Sequence, residues 1–417
     1  AADAETERLR LRAGETIALR AYLASLQGAY LEAASEFERA GGTVPDSAVD
    51  RRWLYSTWQA DTLKTYGERF VDLDRLREAV RIYRAVTLPM ATRSLQPANL
   101  GMTHNNIGTA LLVIGERSSP DDLRAALQAF DEALSETSST RDPVGWSQTQ
   151  LNRGVAFSAL EELGEPGALA EAILAYEAGL RTVSPQMSQE LWGQLNMNLG
   201  VAYRVQSARD GDLALRLSAE AFQRALGVWT EADAGRQWAR VHVNLGTTRS
   251  EQYIRGDLRA MEPALAAYEN AQRVLTRESD PDSWANLQGN LGTLYKYIAQ
   301  AGDPSAFENA RSAYLAALSV FTEQDDPNRW AQTQFNLGQL YRMMAATIAR
   351  GDREVALKSV EALEHAASVR SPERGIRDYV ETQLELGKCL GMLALTGDTS
   401  ALDRSILALN IAIVNRT

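Results

Sequence analysis

Residues 191–203 read LWGQLNMNLGVAY, and the phrase returns as QWARVHVNLGTTR (237–249), SWANLQGNLGTLY (283–295) and RWAQTQFNLGQLY (329–341). An earlier copy, GWSQTQLNRGVAF, occupies 145–157; a weaker late one, DYVETQLELGKCL, occupies 378–390 with Tyr379 in the tryptophan slot. Trp146, Trp192, Trp238, Trp284 and Trp330 therefore recur every 46 residues, and eight residues after each stands a glycine: Gly154, Gly200, Gly246, Gly292, Gly338. Gly108 precedes this series by 46 residues and Gly387 follows it by 49. A second landmark keeps the same step: Phe130, Tyr176, Phe222, Tyr268 and Tyr314. Two independent series with one period mark a repeat array.

Each repeat reads as a helical hairpin. At the helical turn of about 100° per residue, the tryptophan, the leucine before the glycine and the aromatic three residues after it share one narrow face. One apolar face of this kind belongs to an amphipathic helix. Asp142-Pro143, Asp280-Pro281 and Asp326-Pro327 combine an N-cap acid with proline at the first helical position. The second helix carries small residues around its aromatic, as in Ala126, Ala129, Phe130 and Ala133. Gly-Asp pairs at 211, 256, 302, 351 and 397 mark turns, and no alternating strand pattern competes. The fold class expected is all-α, a right-handed superhelical solenoid of about nine antiparallel helix pairs. Residues 1–98 read as divergent N-terminal hairpins, and 99–417 as a repeat array continuous with them.

The composition narrows the function. The chain has 417 residues, 45% of them hydrophobic, which excludes disorder. No stretch approaches the ~20 apolar residues of a membrane span. Forty-three Lys+Arg against 54 Asp+Glu give a net charge of −11, the wrong sign for a general nucleic-acid binder. The single Cys389 excludes an intramolecular disulfide and any multi-cysteine metal site. His104, His242 and His365 are far apart, so no metal is expected, and no cofactor either. None of the common phosphate-loop, serine-nucleophile or zinc motifs occurs. No catalytic residue is nominated. Cys389 follows the last glycine in a small-residue slot and reads as a buried structural thiol.

The pattern resembles the tetratricopeptide repeat. That family places Leu-Gly in the first helix with an aromatic three residues on, and alanines flanking an aromatic in the second. Leu199-Gly200-Tyr203 with Ala221-Phe222-Ala225 matches it, as do Leu291-Gly292-Tyr295 and Ala267-Tyr268. The likeness covers roughly 99–416. It departs in its period, 46 residues against about 34 in the family, and most resembles the long repeats of kinesin light chain and of bacterial repeat proteins with an Asn-Leu-Gly core.

One series goes beyond packing. Two residues before the glycine stand Asn106, Asn152, Asn198, Asn244, Asn290 and Asn336, six of the chain's 15 asparagines. Asparagine is a mediocre helix former, so its recurrence in mid-helix implies use. Its phase lies well away from the apolar face. A carboxamide offers a donor and an acceptor, matching the N–H and C=O of an extended peptide. The ladder resembles that of kinesin light chain and O-GlcNAc transferase, whose asparagines at the matching place hold peptide backbone; the resemblance implies a peptide-binding groove. The competing reading is that the asparagines bond to neighbouring helices and set repeat geometry. Arg204, Arg240, Lys296 and Arg342 share the polar face and make it locally basic, which favours an acidic partner.

The expected function is a non-enzymatic scaffold that binds an extended, acidic peptide segment of a partner protein. A small-molecule or lipid carrier, or the partner-binding half of a larger protein, are the alternatives. The start AADAETERLR is compatible with cleavage of a signal peptide, and a periplasmic location is the expectation, with the cytoplasm as alternative.

Overall fold

The computed structural model describes residues 2–92, 98–349 and 352–415. Their regular structure is helical, and they form two compact units, 1–229 and 230–417. In the first unit the consecutive pairs are α1 (Ala2–Leu26) with α2 (Tyr30–Thr43), and α3 (Val49–Phe70) with α4 (Leu73–Ile82). A π-turn (Tyr83–Thr87) and the short α5 (Leu88–Ala91) prolong α4. The unit continues with α6 (Ala98–Gly115) and α7 (Pro120–Glu136), α8 (Pro143–Glu162) and α9 (Ala168–Thr182), and α10 (Gln189–Asp210) and α11 (Asp212–Leu226). The second unit pairs α12 (Glu231–Ile254) with α13 (Met261–Gln272), α14 (Pro281–Gln300) with α15 (Ala306–Leu318), α16 (Pro327–Thr347) with α17 (Arg353–Val369), and α18 (Pro372–Leu395) with α19 (Thr399–Val414). Nine helix pairs among the described residues match the expected number. Each unit is an all-α, tetratricopeptide-like stack of hairpins. The units divide between the fifth and sixth pairs, a place that composition does not mark.

The helix starts follow the sequence signals. Asp142, Asp280 and Asp326 cap α8, α14 and α16, each carboxylate accepting from a backbone N–H of the first turn, with proline at N1. Gly211, Gly256, Gly302 and Gly397 turn the chain with φ between 66° and 114°, a region open to glycine without steric cost. Gly351 of the remaining Gly-Asp pair lies outside the described residues.

The core is built at the recurring glycines. A Cβ on Gly246 would lie 2.6 Å from the Tyr268 ring, and one on Gly200 2.7 Å from Phe222. The glycine of the first helix thus admits the aromatic of the second, and Phe130, Tyr176, Phe222, Tyr268 and Tyr314 are all buried. A serine of the second helix adds a bond in three hairpins: Ser218, Ser359 and Ser405 donate to the carbonyls of Gly200, Gly338 and Gly387. The five tryptophans are only half-buried. Eight residues before the glycine, they sit near the helix start. Trp330 packs, as Trp284 does, against the cluster of Ala285, Ala317 and Phe321, so it lies between repeats. Cys389 is buried at 2% exposure, its Sγ 3.0 Å from Ser359 Oγ.

Candidate functional site

All six asparagines of the recurring slot lie within first helices of their hairpins and are half-buried. They fall into two groups. Asn152 donates from Nδ2 to Oδ1 of Asn105 in the preceding hairpin, 3.1 Å away, while accepting from Gln148 at 3.2 Å. Asn290 likewise donates to Thr247 of the hairpin before it at 3.3 Å, and Thr247 also accepts from the Tyr268 hydroxyl. Asn336 accepts from Gln332 one turn earlier, at 3.5 Å. Asn106, Asn198 and Asn244 differ: among the described residues their carboxamides have no hydrogen-bond partner. Three asparagines therefore join neighbours, and three carry unused donors and acceptors in mid-helix.

The basic residues of the same face also divide. Lys296 is buried at 5% exposure and donates from Nζ to Oε1 of Gln339 in the next hairpin at 2.7 Å, with the Tyr297 ring 5.3 Å away. Burial pushes its ammonium down to about 8. Arg342 donates to Glu385 of the next hairpin at 2.9 Å. Glu385 occupies the asparagine slot before Gly387 and is itself buried; Lys388 also donates to it, at 2.6 Å. Arg240 is exposed and Arg204 half-buried. Lys296 and Arg342 thus link adjacent hairpins.

A cation that phase reasoning missed stands beside this face. A cleft of about 380 Å³ opens between the start of α16 and the α17–α18 junction, lined by Arg329, Gln332, Arg370, Arg374 and Asp378 among others. Arg370 is buried, donates to Thr382 at 2.9 Å and to Gln332 at 2.6 Å, and lies 4.7 Å over the Phe335 ring. Among the described residues no carboxylate pairs with it. Burial lowers its pKa, while Asp378 and Glu381 act from a distance in the opposite sense. The signal was present in the repeat. The buried residues Val183, Trp229, Leu275 and Phe321 are followed by Ser184, Thr230, Thr276 and Thr322, whereas Val369 is followed by Arg370.

The histidines lie apart: His104 Nδ1 is 2.8 Å from Glu132, and His242 packs on Trp238 with ring centroids 4.3 Å apart. Among the described residues no cluster of three or more metal-ligating side chains occurs, and no helix is long and apolar enough to cross a membrane.

No family model and no curated relative matches the chain. Among solved structures it is similar to the C-terminal part of a TPR repeat-containing protein from Cytophaga hutchinsonii, at 14% identity over 75% of this chain and 95% of that one, with a TM-score of 0.45. It is similar as well to the apo form of the quorum sensor NprR from B. thuringiensis, at 15% identity over 85% of this chain and 99% of that one, with a TM-score of 0.47.

Proposed function

We propose that the chain is a non-enzymatic interaction scaffold whose asparagine faces hold extended, acidic peptide of a partner protein. The observation that carries this reading is the set Asn106 and Asn198 in the first unit and Asn244 in the second. A half-buried carboxamide without a partner, repeated in mid-helix at a cost in helix propensity, is explained by a ligand that supplies the missing donors and acceptors. Peptide backbone presents the same pair of groups at every residue, so one residue type serves in each hairpin while the ligand's side chains vary. Exposed Arg240, together with Arg370 and Arg374 beside the cleft, favours carboxylates on that ligand. Asn152 and Asn290, bonded to the preceding hairpin, space the repeats instead.

The test uses an array of random acidic and basic dodecapeptides. The wild-type chain is expected to retain acidic members. Replacing Asn106, Asn198 and Asn244 together by Ala should preserve helicity and melting temperature yet weaken binding by roughly 10-fold to 1,000-fold, three net hydrogen bonds at ~0.5–1.5 kcal/mol each. Unchanged binding by the triple variant, or its outright unfolding, overturns the reading.

A further inference from the structure

The N-terminal hairpins hold a feature unrelated to the asparagine series. Helices α1 and α3 both pack on α2, but they meet one another less closely than α6 meets α8. A cleft opens between them. It comprises two contiguous cavities of about 470 Å³ and about 340 Å³ that share Tyr22 and Trp58. Tyr22 is 52% exposed and Trp58 36% exposed, large values for aromatic rings on a folded surface. The Trp58 ring stands 5.5 Å from Phe37 and 5.9 Å from Tyr55, tilted to both. Tyr30 adds a further ring to the smaller cavity.

The same cavity contains one carboxylate, that of Asp61, one turn beyond Trp58 on α3. Asp61 accepts a hydrogen bond from the Tyr83 hydroxyl through Oδ1. Among the described residues no cation pairs with it. Lys64, whose ammonium acts on it from a distance, donates instead to Thr109 at 3.4 Å. Burial raises the Asp61 pKa, the mark of a carboxylate removed from water without a counter-ion. At the far end of the cleft Glu15 is already matched by Arg51 at 3.3 Å. Arg69 donates to the Tyr30 hydroxyl at 3.1 Å and lies 6.0 Å from the centre of that ring, so a cation already sits on one ring of this cluster.

Ring faces carry negative quadrupole potential and attract cations within about 6 Å. An anion would meet Asp61 and be repelled. A purely apolar ligand would further dehydrate a carboxylate that lacks a counter-charge. An organic cation satisfies both the rings and the acid. We propose that the cleft between α1 and α3 binds an alkylammonium group, its methylenes or methyls against Trp58, Tyr22 and Tyr30 and its charge towards Asp61. The group is carried either by a lysine or methyl-lysine side chain of a protein or by a free small amine.

Titration calorimetry on the full chain tests this with four probes: choline, its neutral isostere 3,3-dimethylbutanol, n-butylammonium and a trimethyl-lysine peptide. At least one cation is expected to bind saturably while the neutral isostere does not. Trp58→Leu, Tyr22→Leu and Asp61→Asn should each weaken the bound cation by about tenfold. Tyr22 is exposed, so its variant keeps the test decisive if Asp61→Asn perturbs folding. Binding of the peptide but not of choline assigns the side-chain source; the reverse assigns the free amine. Equal binding of the isostere, affinity unaltered in Tyr22→Leu and Trp58→Leu, or no heat from any cation overturns the proposal. The asparagine variants should leave this binding intact, so failure here and failure of the peptide reading are separable.

Discussion

The ring of Tyr314 lies against the bare Cα of Gly292, so close that a Cβ built on the glycine would stand 2.7 Å from Tyr314 Cδ1 and Cε1. The two residues are 22 apart in the chain, and the same pairing joins Gly200 to Phe222 and Gly246 to Tyr268. The glycine series and the aromatic series are therefore two halves of one contact. That is why they keep a common period.

Gly292→Ala should lower stability by ~1–3 kcal/mol, because the added methyl overpacks a buried ring. Gly289 provides the control in the same helix: nothing lies within 4 Å of its would-be Cβ. Gly289→Ala should raise stability by ~0.5–1 kcal/mol through helix propensity. Chemical denaturation of both variants checks the pair. Equal effects would mean that the contact is not tight.

The asparagines should separate by role. Asn290→Ala removes the bond to Thr247 and should cost ~0.5–1.5 kcal/mol. Asn198→Ala removes no side-chain bond among the described residues and should be neutral or slightly stabilising, since Ala is the better helix former. Melting temperatures of the single variants measure the difference.

Lys296 gives a pH signature. Burial holds its folded pKa at about 8, below the ordinary 10.5. The unfolded chain thus binds more protons between those values, and stability should rise with pH through that window. The buried charge penalises folding at neutral pH and ceases to do so above the unfolded value. Unfolding free energies of wild type and Lys296→Met, measured from about pH 7 to about pH 11, should converge or cross as the pH rises. The wild type should gain up to about 3 kcal/mol relative to the variant. Parallel curves would contradict it.

Cys389 should be inert. Burial pushes its thiol up to about 11, and Ser359 lies against it. A thiol-specific reagent at about pH 8 should modify it only at the rate of unfolding, and fully in denaturant. Rapid labelling of the native chain would refute this.

Period and phase determined the hairpins, their caps, their turns and the slot of six asparagines, because a helix's buried face is set by local spacing along one chain. What each polar side chain does was settled by its neighbours in the next hairpin. Asn152 finds Asn105 and Asn290 finds Thr247, while Asn198 and Asn244, in the same phase, find nothing among the described residues. Lys296 and Arg342, expected to face a ligand, reach across to Gln339 and Glu385. The separation of α1 from α3 that exposes Trp58 and encloses Asp61 left no periodic trace. Such partnerships depend on the distance between helices about 40 residues apart in sequence, and only packing fixes that distance to the few tenths of an ångström that decide a hydrogen bond.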